Sequence, residues 1–263
     1  MREFNRDLKK VVIKVGSSSI THENGGANIE RIEALAKEIV NLENQGIKVI
    51  LVSSGAIAAG ANKLKVARPK DVTNKQAIAS VGQLSLMNTY LRSFAEYGYQ
   101  VGQILLTRVV ESDRTMYENA INTFERLLEM GVIPIVNEND TISTFEINFG
   151  DNDTLSAVVA RLVNADMLIL LSDIDGLYTD DPRKDPKARL ISQVDSIDAD
   201  LKAMAKGTNS LVGTGGMATK VNAADLCMQE GIDVVVASSA DFKNIRKIVK
   251  GEEIGTIFKG QTR

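Results

Sequence analysis

The chain has 263 residues, 44% of them apolar and 25% charged, and a formal net charge of −3. That composition suits one large α/β domain with a sizeable core, and it carries no basic excess of the kind a general nucleic-acid binder shows. A single cysteine, Cys227, excludes an internal disulfide, and a single histidine, His22, excludes a Ser/His/Asp triad or a zinc site of several His and Cys ligands. No run approaches the roughly 18 apolar residues of a membrane span, and residues 1–10 lack the apolar core of a signal peptide, so the expectation is a cytoplasmic protein with no membrane partner.

Residues 11–15 are a β-branched run, the mark of a buried parallel strand. Ile29, Ile32, Ala36, Ile39 and Leu42 recur at helical spacing, and Gly46 stops that helix. Residues 49–52 predict a second buried strand, which leads at once through Ser53-Ser54-Gly55 into a helix. Residues 75–97 read as a long helix, 101–106 as a strand, 117–130 as a helix closed by Gly131, and 132–136 as the strand before Asn137-Glu138-Asn139-Asp140. Residues 142–149 predict a short β-rich excursion. Asp151 is placed to cap a helix running to about Val163. Residues 167–171 predict a strand ending in Ser172-Asp173, and 179–187, with Pro182 and Pro186, a loop. Residues 207–216 are rich in Gly, Thr, Ser and Asn; a helix over 217–230 and strands over 232–236 and 256–258 complete the chain. This βαβα alternation predicts an open, mostly parallel sheet with helices on both faces. Its polar clusters each follow an apolar run, as expected where ligands bind beyond the C-terminal ends of strands.

Lys14 lies inside Val-Val-Ile-Lys-Val-Gly. A lysine in a buried strand is costly unless its charge meets a partner. Either it belongs to an edge strand and points to water, or its ammonium stands at the strand end over a phosphate, with Gly16-Ser17-Ser18 offering backbone N–H donors. Ser53-Ser54-Gly55-Ala56 opens a helix and could hold an anion, though serine capping alone explains it. Asn137-Glu138-Asn139-Asp140 and Gly150-Asp151-Asn152-Asp153 form two nearby acid/amide clusters, able to bind an ammonium group or orient lysines; ordinary turn and capping chemistry is the alternative. Gly213 to Ala218 formally fits a dinucleotide-binding pattern, but no strand precedes it, and the segment also fails the Walker A spacing. It reads instead as a loop closing on phosphates at a helix N-terminus, with Lys220 reaching them, or as a mobile surface loop. Cys227 reads as a core residue, His22 as exposed, and Arg183-Lys184-Asp185 as a solvated loop.

Taken in order, Val-Ile-Lys-Val-Gly-Ser-Ser, Val-Ser-Ser-Gly-Ala-Ile, Val-Asn-Glu-Asn-Asp, Phe-Gly-Asp-Asn-Asp-Thr-Leu-Ser-Ala, Leu-Ser-Asp-Ile-Asp-Gly-Leu-Tyr-Thr and Gly-Thr-Gly-Gly-Met-Ala-Thr-Lys resemble the amino acid kinase family across nearly the whole chain, and within it the members that act on glutamate. The resemblance implies a three-layer αβα sandwich on a mainly parallel, about eight-stranded open sheet. It implies one domain over residues 1–263, with an acceptor lobe over roughly 1–165 and a nucleotide lobe over roughly 166–263. It implies that ATP, with Mg²⁺, phosphorylates the side-chain carboxylate of L-glutamate on the way to proline. Residue by residue, it places Lys14 and Lys220 on the ATP phosphates, with Asp153 orienting both. It places Ser172, Asp173 and the loop Thr214, Gly215, Gly216, Met217, Ala218, Thr219 and Lys220 on the nucleotide, and Ser54, Gly55, Asp140 and Asn152 on glutamate. Ser53 and Ser172 stand where the family often has threonine. Homo-oligomerisation, as a dimer or tetramer, and feedback inhibition by proline are further implications. Many bacterial members continue into a C-terminal RNA-binding-like domain; this chain stops at Arg263 and is expected to be a single-domain form.

The chemistry is coherent without a histidine. A glutamate side chain is already ionised at neutral pH, so it attacks phosphorus without a general base, and catalysis reduces to positioning and charge neutralisation. Three alternatives remain: the same fold with aspartate, N-acetylglutamate, carbamate or a nucleoside monophosphate as acceptor; a non-catalytic amino-acid sensor; and a nicotinamide-dependent oxidoreductase.

Overall fold

The computed structural model describes residues 1–143, 151–182, 184–207 and 216–261. Its elements are β1 (Lys10–Val15), α1 (Ser17–Ile20), α2 (Ile29–Glu43), β2 (Lys48–Ser53), α3 (Ala56–Leu64), α4 (Val72–Ala95), β3 (Gln100–Leu106), a 3₁₀ turn (Arg108–Glu111), α5 (Arg114–Glu129) and β4 (Val132–Glu138). They continue with α6 (Asn152–Leu162), β5 (Met167–Ser172), β6 (Gln193–Val194), α7 (Ala199–Gly207), α8 (Met217–Met228), β7 (Asp233–Ser238), α9 (Asn244–Val249) and β8 (Thr256–Phe258). The eight strands run in the order β3-β4-β2-β1-β5-β7-β8-β6. The pairs β2–β4, β3–β4, β5–β7 and β6–β8 are parallel, and β7–β8 is antiparallel. The α/β class and the mainly parallel sheet are those the alternation predicts. The β-rich excursion expected at 142–149 lies almost wholly outside the described residues, as do Arg183 and the loop residues Gly213, Thr214 and Gly215. Among the described residues no helix is long and apolar enough to cross a membrane.

The chain divides into two compact units, Val15–Phe149 and the pair of segments Met1–Lys14 and Gly150–Arg263. In the Val15–Phe149 unit, β2 and β4 are almost wholly buried, as continuous Val/Ile/Leu runs require. Helix α4 starts at Val72, three residues before the expected start, because the Asp71 side chain accepts from Asn74 N and caps the first turn. Helices α3 and α4 cross at glycines. A Cβ on Gly82 would stand 1.7 Å from the carbonyl oxygen of Ala56, and one on Gly60 would stand 2.0 Å from that of Ile78. No other residue permits this approach, so the crossing fixes where α3 begins, immediately after Gly55.

In the second unit, β5 is buried throughout and pairs with β7 from Met167–Asp233 to Ser172–Ser238. Cys227 is fully buried on α8, as expected of a core thiol, and burial pushes it up to about 12. Residues 1–9 form a polar strap. Arg2 donates to the carbonyls of Ser192, Ile254 and Gly255, and Arg6 to the carbonyls of Ala165 and Glu230. Asp233, fully buried, accepts from the backbone N–H groups of Asn5 and Gly260 and from Lys259 Nζ. The unit thus ties the first residues of the chain to segments beyond residue 190.

Candidate active site

The second unit contains a buried cluster of three charges. Lys14, near the end of β1, is 7% exposed, Lys220 in the first turn of α8 is 4% exposed, and Asp153 at the start of α6 is fully buried. Lys14 Nζ lies 2.6 Å from Asp153 Oδ1, and Lys220 Nζ donates to Asp153 Oδ2 at 3.0 Å. Thr219 Oγ1 lies 2.8 Å from the same Oδ2 and 2.7 Å from the carbonyl oxygen of Gly216. Because the Lys14 ammonium is buried against Asp153, the alternative in which it points to water is excluded. Burial opposes ionisation of Asp153, but the charges of Lys14 and Lys220 and their hydrogen-bonding neighbours prevail and hold its carboxyl at about 2. Two ammonium groups and the Asp153 carboxylate thus meet in a poorly solvated place, with the Asp151 carboxyl within electrostatic reach of Lys14 and Asp153.

The local sequence places each group. Asp151 caps α6 by accepting from Thr154 N at 2.8 Å, as expected, which puts Asn152 and Asp153 in the first turn. Burial and then the Asp153 charge raise the Asp151 carboxyl, against the pull of Thr154 N–H and Lys14. Gly216 precedes α8 in extended conformation, and nothing stands within 4 Å of where its Cβ would be. Met217 is buried, while Ala218 and Thr219 are half-buried. Ser172 closes β5; its hydroxyl donates to Asp173 Oδ1 at 3.0 Å, and its carbonyl accepts from Ser239 N. Asp173 is exposed.

Ser54, Gly55 and Asp140 belong to the Val15–Phe149 unit. Gly55 takes φ +112°, the left-handed conformation that lets β2 turn directly into α3. Ser54 N donates to the carbonyl of Val15. After β4, Asn139 N donates to the Leu106 carbonyl, Ser143 Oγ to Glu138 Oε1, and Asn137 Nδ2 to Gln83 Oε1. Asp140 is half-buried; desolvation first, and the nearby Glu138 charge second, push its carboxyl up to about 6. The sequence did not single out Gln76, Gln83 or Tyr90, which hydrogen-bond to the segments flanking these residues.

Two lysines held on one carboxylate suit polyphosphate oxygens, which accept from ammonium groups. Among the described residues no group of three or more His, Cys, Asp or Glu is placed to hold a metal ion. That fits a magnesium ion carried on phosphate oxygens and water, which needs few protein ligands.

The sequence matches the amino acid kinase family over residues 9–238. It is 53% identical to the glutamate 5-kinase of Clostridium acetobutylicum over 97% of this chain and 96% of that protein. It is 50% identical to that of Carboxydothermus hydrogenoformans, covering 98% of this chain and 70% of that protein, and 48% identical to that of Listeria monocytogenes, covering 98% and 95%. Two solved structures are similar at 17% identity and establish likeness of fold alone. They are a UMP kinase from Bacillus anthracis (TM-score 0.66, 98% of each chain covered) and a carbamate kinase from Giardia lamblia bound to AMP-PNP (TM-score 0.67, 97% of this chain and 99% of that one).

Proposed function

The chain belongs to the amino acid kinase family, and from that premise we infer that it transfers the γ-phosphoryl of ATP to the side-chain carboxylate of L-glutamate, giving L-glutamyl 5-phosphate and ADP, the first step of proline biosynthesis. The observation that carries the site reading is the buried Lys14–Asp153–Lys220 cluster.

The glutamate carboxylate is the nucleophile and needs no base. Its oxygen forms the new bond to γ-phosphorus as the bond to the β,γ-bridging oxygen breaks, and ADP takes the electron pair. Lys14 and Lys220 neutralise charge on the phosphates. Asp153 is a positioning residue that keeps both ammonium groups where the transferring phosphoryl passes. Ser172, Asp173 and residues 214–220 take the nucleotide. When bound, Mg²⁺ would supply further charge neutralisation on the phosphates. Ser54, Gly55, Asp140 and Asn152 take glutamate, with Asp140 paired to the α-ammonium. Its carboxyl, raised by burial first and by the Glu138 charge second, supports this assignment, since such an acid gains most from a cation. N-acetylglutamate lacks that cation and should be a poor acceptor. Of the proposed glutamate residues, Ser54, Gly55 and Asp140 belong to the Val15–Phe149 unit, while Asn152 belongs, like the proposed nucleotide residues, to the other. A cytoplasmic location, homo-oligomerisation as a dimer or tetramer and feedback inhibition by proline belong to the same proposal, with light scattering and a proline titration as tests of the last two.

The reaction is tested by ADP release with ATP, Mg²⁺ and a panel of acceptors, with hydroxylamine present to trap acyl phosphate. Glutamate-dependent hydroxamate is expected. Release with another acceptor only would overturn the roles of Asp140 and Asn152, and no turnover in a folded, ATP-binding sample would favour a sensor.

A further inference from the structure

We propose that Gln76, Gln83 and Tyr90, on one face of α4, are positioning residues that set the shape of the glutamate site; this rests on the assignment of the segments after β2 and β4 to the acceptor. The three lie seven residues apart. Seven residues are close to two helical turns, about 10 Å of axis, so their side chains leave α4 in nearly the same direction. Each meets a different point of the acceptor segments. Gln76 Nε2 donates to the carbonyl of Ser143 at 3.0 Å, Gln83 Oε1 accepts from Asn137 Nδ2 at 2.9 Å, and the Tyr90 hydroxyl shares a hydrogen bond with Ser53 Oγ at 2.8 Å. Ser53 immediately precedes Ser54, Asn137 opens the run that ends in Asp140, and Ser143 lies three residues beyond Asp140.

These contacts are withdrawn from water: Tyr90 is 0%, Ser53 1% and Asn137 4% exposed. A helix that only had to pack would be served along this line by apolar side chains such as its own Ile78, Leu86 and Phe94, all buried. Polar groups there must find partners, and these three find them on the acceptor segments. Helix α4 is a firm base for the purpose, because the Gly82–Ala56 and Gly60–Ile78 approaches lock it to α3, whose first residue follows Gly55. One rigid helix therefore sets both segments, and loosening any of the three bonds should disturb glutamate before it disturbs ATP.

The test is steady-state kinetics on Tyr90→Phe, Gln83→Met and Gln76→Met, with thermal unfolding alongside and Asp140→Asn as reference. Tyr90→Phe keeps the ring volume and its packing near Phe94, with ring centroids 6.4 Å apart, so it removes little besides the hydroxyl. Each variant should raise the glutamate KM about five- to tenfold, the loss of one buried hydrogen bond. The ATP KM and kcat should stay within about twofold. A lowered Tm with the glutamate KM unchanged would reduce the three residues to a structural role and overturn the proposal. So would a parallel rise in both KM values. If Asp140→Asn raises the glutamate KM while the α4 variants do not, this inference alone fails; if Asp140→Asn also leaves it unchanged, the acceptor assignment falls with it.

Discussion

Asp140, in the Val15–Phe149 unit, and Asp153, in the other, are the same side chain withdrawn from water, and their surroundings drive them in opposite directions. Asp153 sits between two lysines and a threonine hydroxyl and is held at about 2; Asp140 sits near Glu138 and is pushed up to about 6. The first is already neutralised and serves to hold cations. Under the proposed function the second receives the α-ammonium of glutamate. Burial opposes ionisation in both: at Asp140 it is the larger cause and the Glu138 charge adds to it, whereas at Asp153 the two lysines reverse it. Under the proposed function the lysine–aspartate cluster acts on turnover and Asp140 on affinity.

The largest expected effect tests the first half of that division. Lys220→Ala should lower kcat by about 10²–10³-fold, the loss of one preorganised charge at the transferring group, with the glutamate KM nearly unchanged. A large rise in the glutamate KM at constant kcat would move Lys220 to the acceptor and dissolve the contrast. Asp140→Asn should do the converse, raising the glutamate KM about 10–100-fold, the worth of a charge-assisted bond, with kcat little altered. The same variant should gain stability at pH 7. Because the folded Asp140 carboxyl titrates near 6 against an ordinary 3.8, its ionisation costs the folded chain stability as pH rises through that window. Removing the charge should therefore raise Tm by a few degrees in the absence of ligand, and an unchanged or lower Tm would contradict the uncompensated state of this acid.

The pH profile sharpens the contrast without mutation. Between pH 5 and 8 Asp153 stays ionised, since its depressed carboxyl gives up its stabilising charge only as pH falls through about 2. Asp140 gains its proton below about 6. The glutamate KM should rise towards tenfold per unit as pH drops below 6 while kcat stays level, and Asp140→Asn should flatten the KM profile. The smallest effect is a control for charge pairs in general. Arg114 and Glu118 form an ion pair whose side chains are 91% and 57% exposed, and Arg114→Ala should leave Tm and both KM values unchanged, because solvent already screens that pair.

Much of this arrangement is legible in the residues. The strands declare themselves as Val/Ile/Leu runs, and the caps as Asp or Asn before helical periods; Asp151 ahead of α6 is read correctly for that reason. Discounting Gly213 to Ala218 as a dinucleotide loop rests on the sequence context, since residues 208–215 lie outside the described residues. What escapes the sequence has non-local causes. Helices α7 and α9 are short and carry little periodic apolar signal, and the two-residue strand β6 exists through its pairing with β8. The start of α4 is missed because Asp71 reads as part of a charged stretch until its bond to Asn74 N is seen. Asp140 and Asp153 look alike in two similar acid/amide motifs, and only burial and neighbouring charge separate them. Gln83 and Tyr90 reveal nothing by spacing alone, since their partners lie 54 and 37 residues away.

The polar strap of residues 1–9 has a consequence for the order of synthesis. Arg2 and Asn5 meet partners from Ser192 onwards, and Met1–Lys14 belongs with Gly150–Arg263 rather than with the residues that follow it. On the ribosome the continuous stretch Val15–Phe149 has its own contacts within reach early, whereas the first strand emerges first and is housed last. Until β5 and the segments beyond it have been translated, the apolar run Val11, Val12 and Ile13 lacks its sheet neighbour β5. A nascent chain arrested midway would therefore display that strand to chaperones and proteases, and the pace of translation through the second half of the message becomes part of what protects the first.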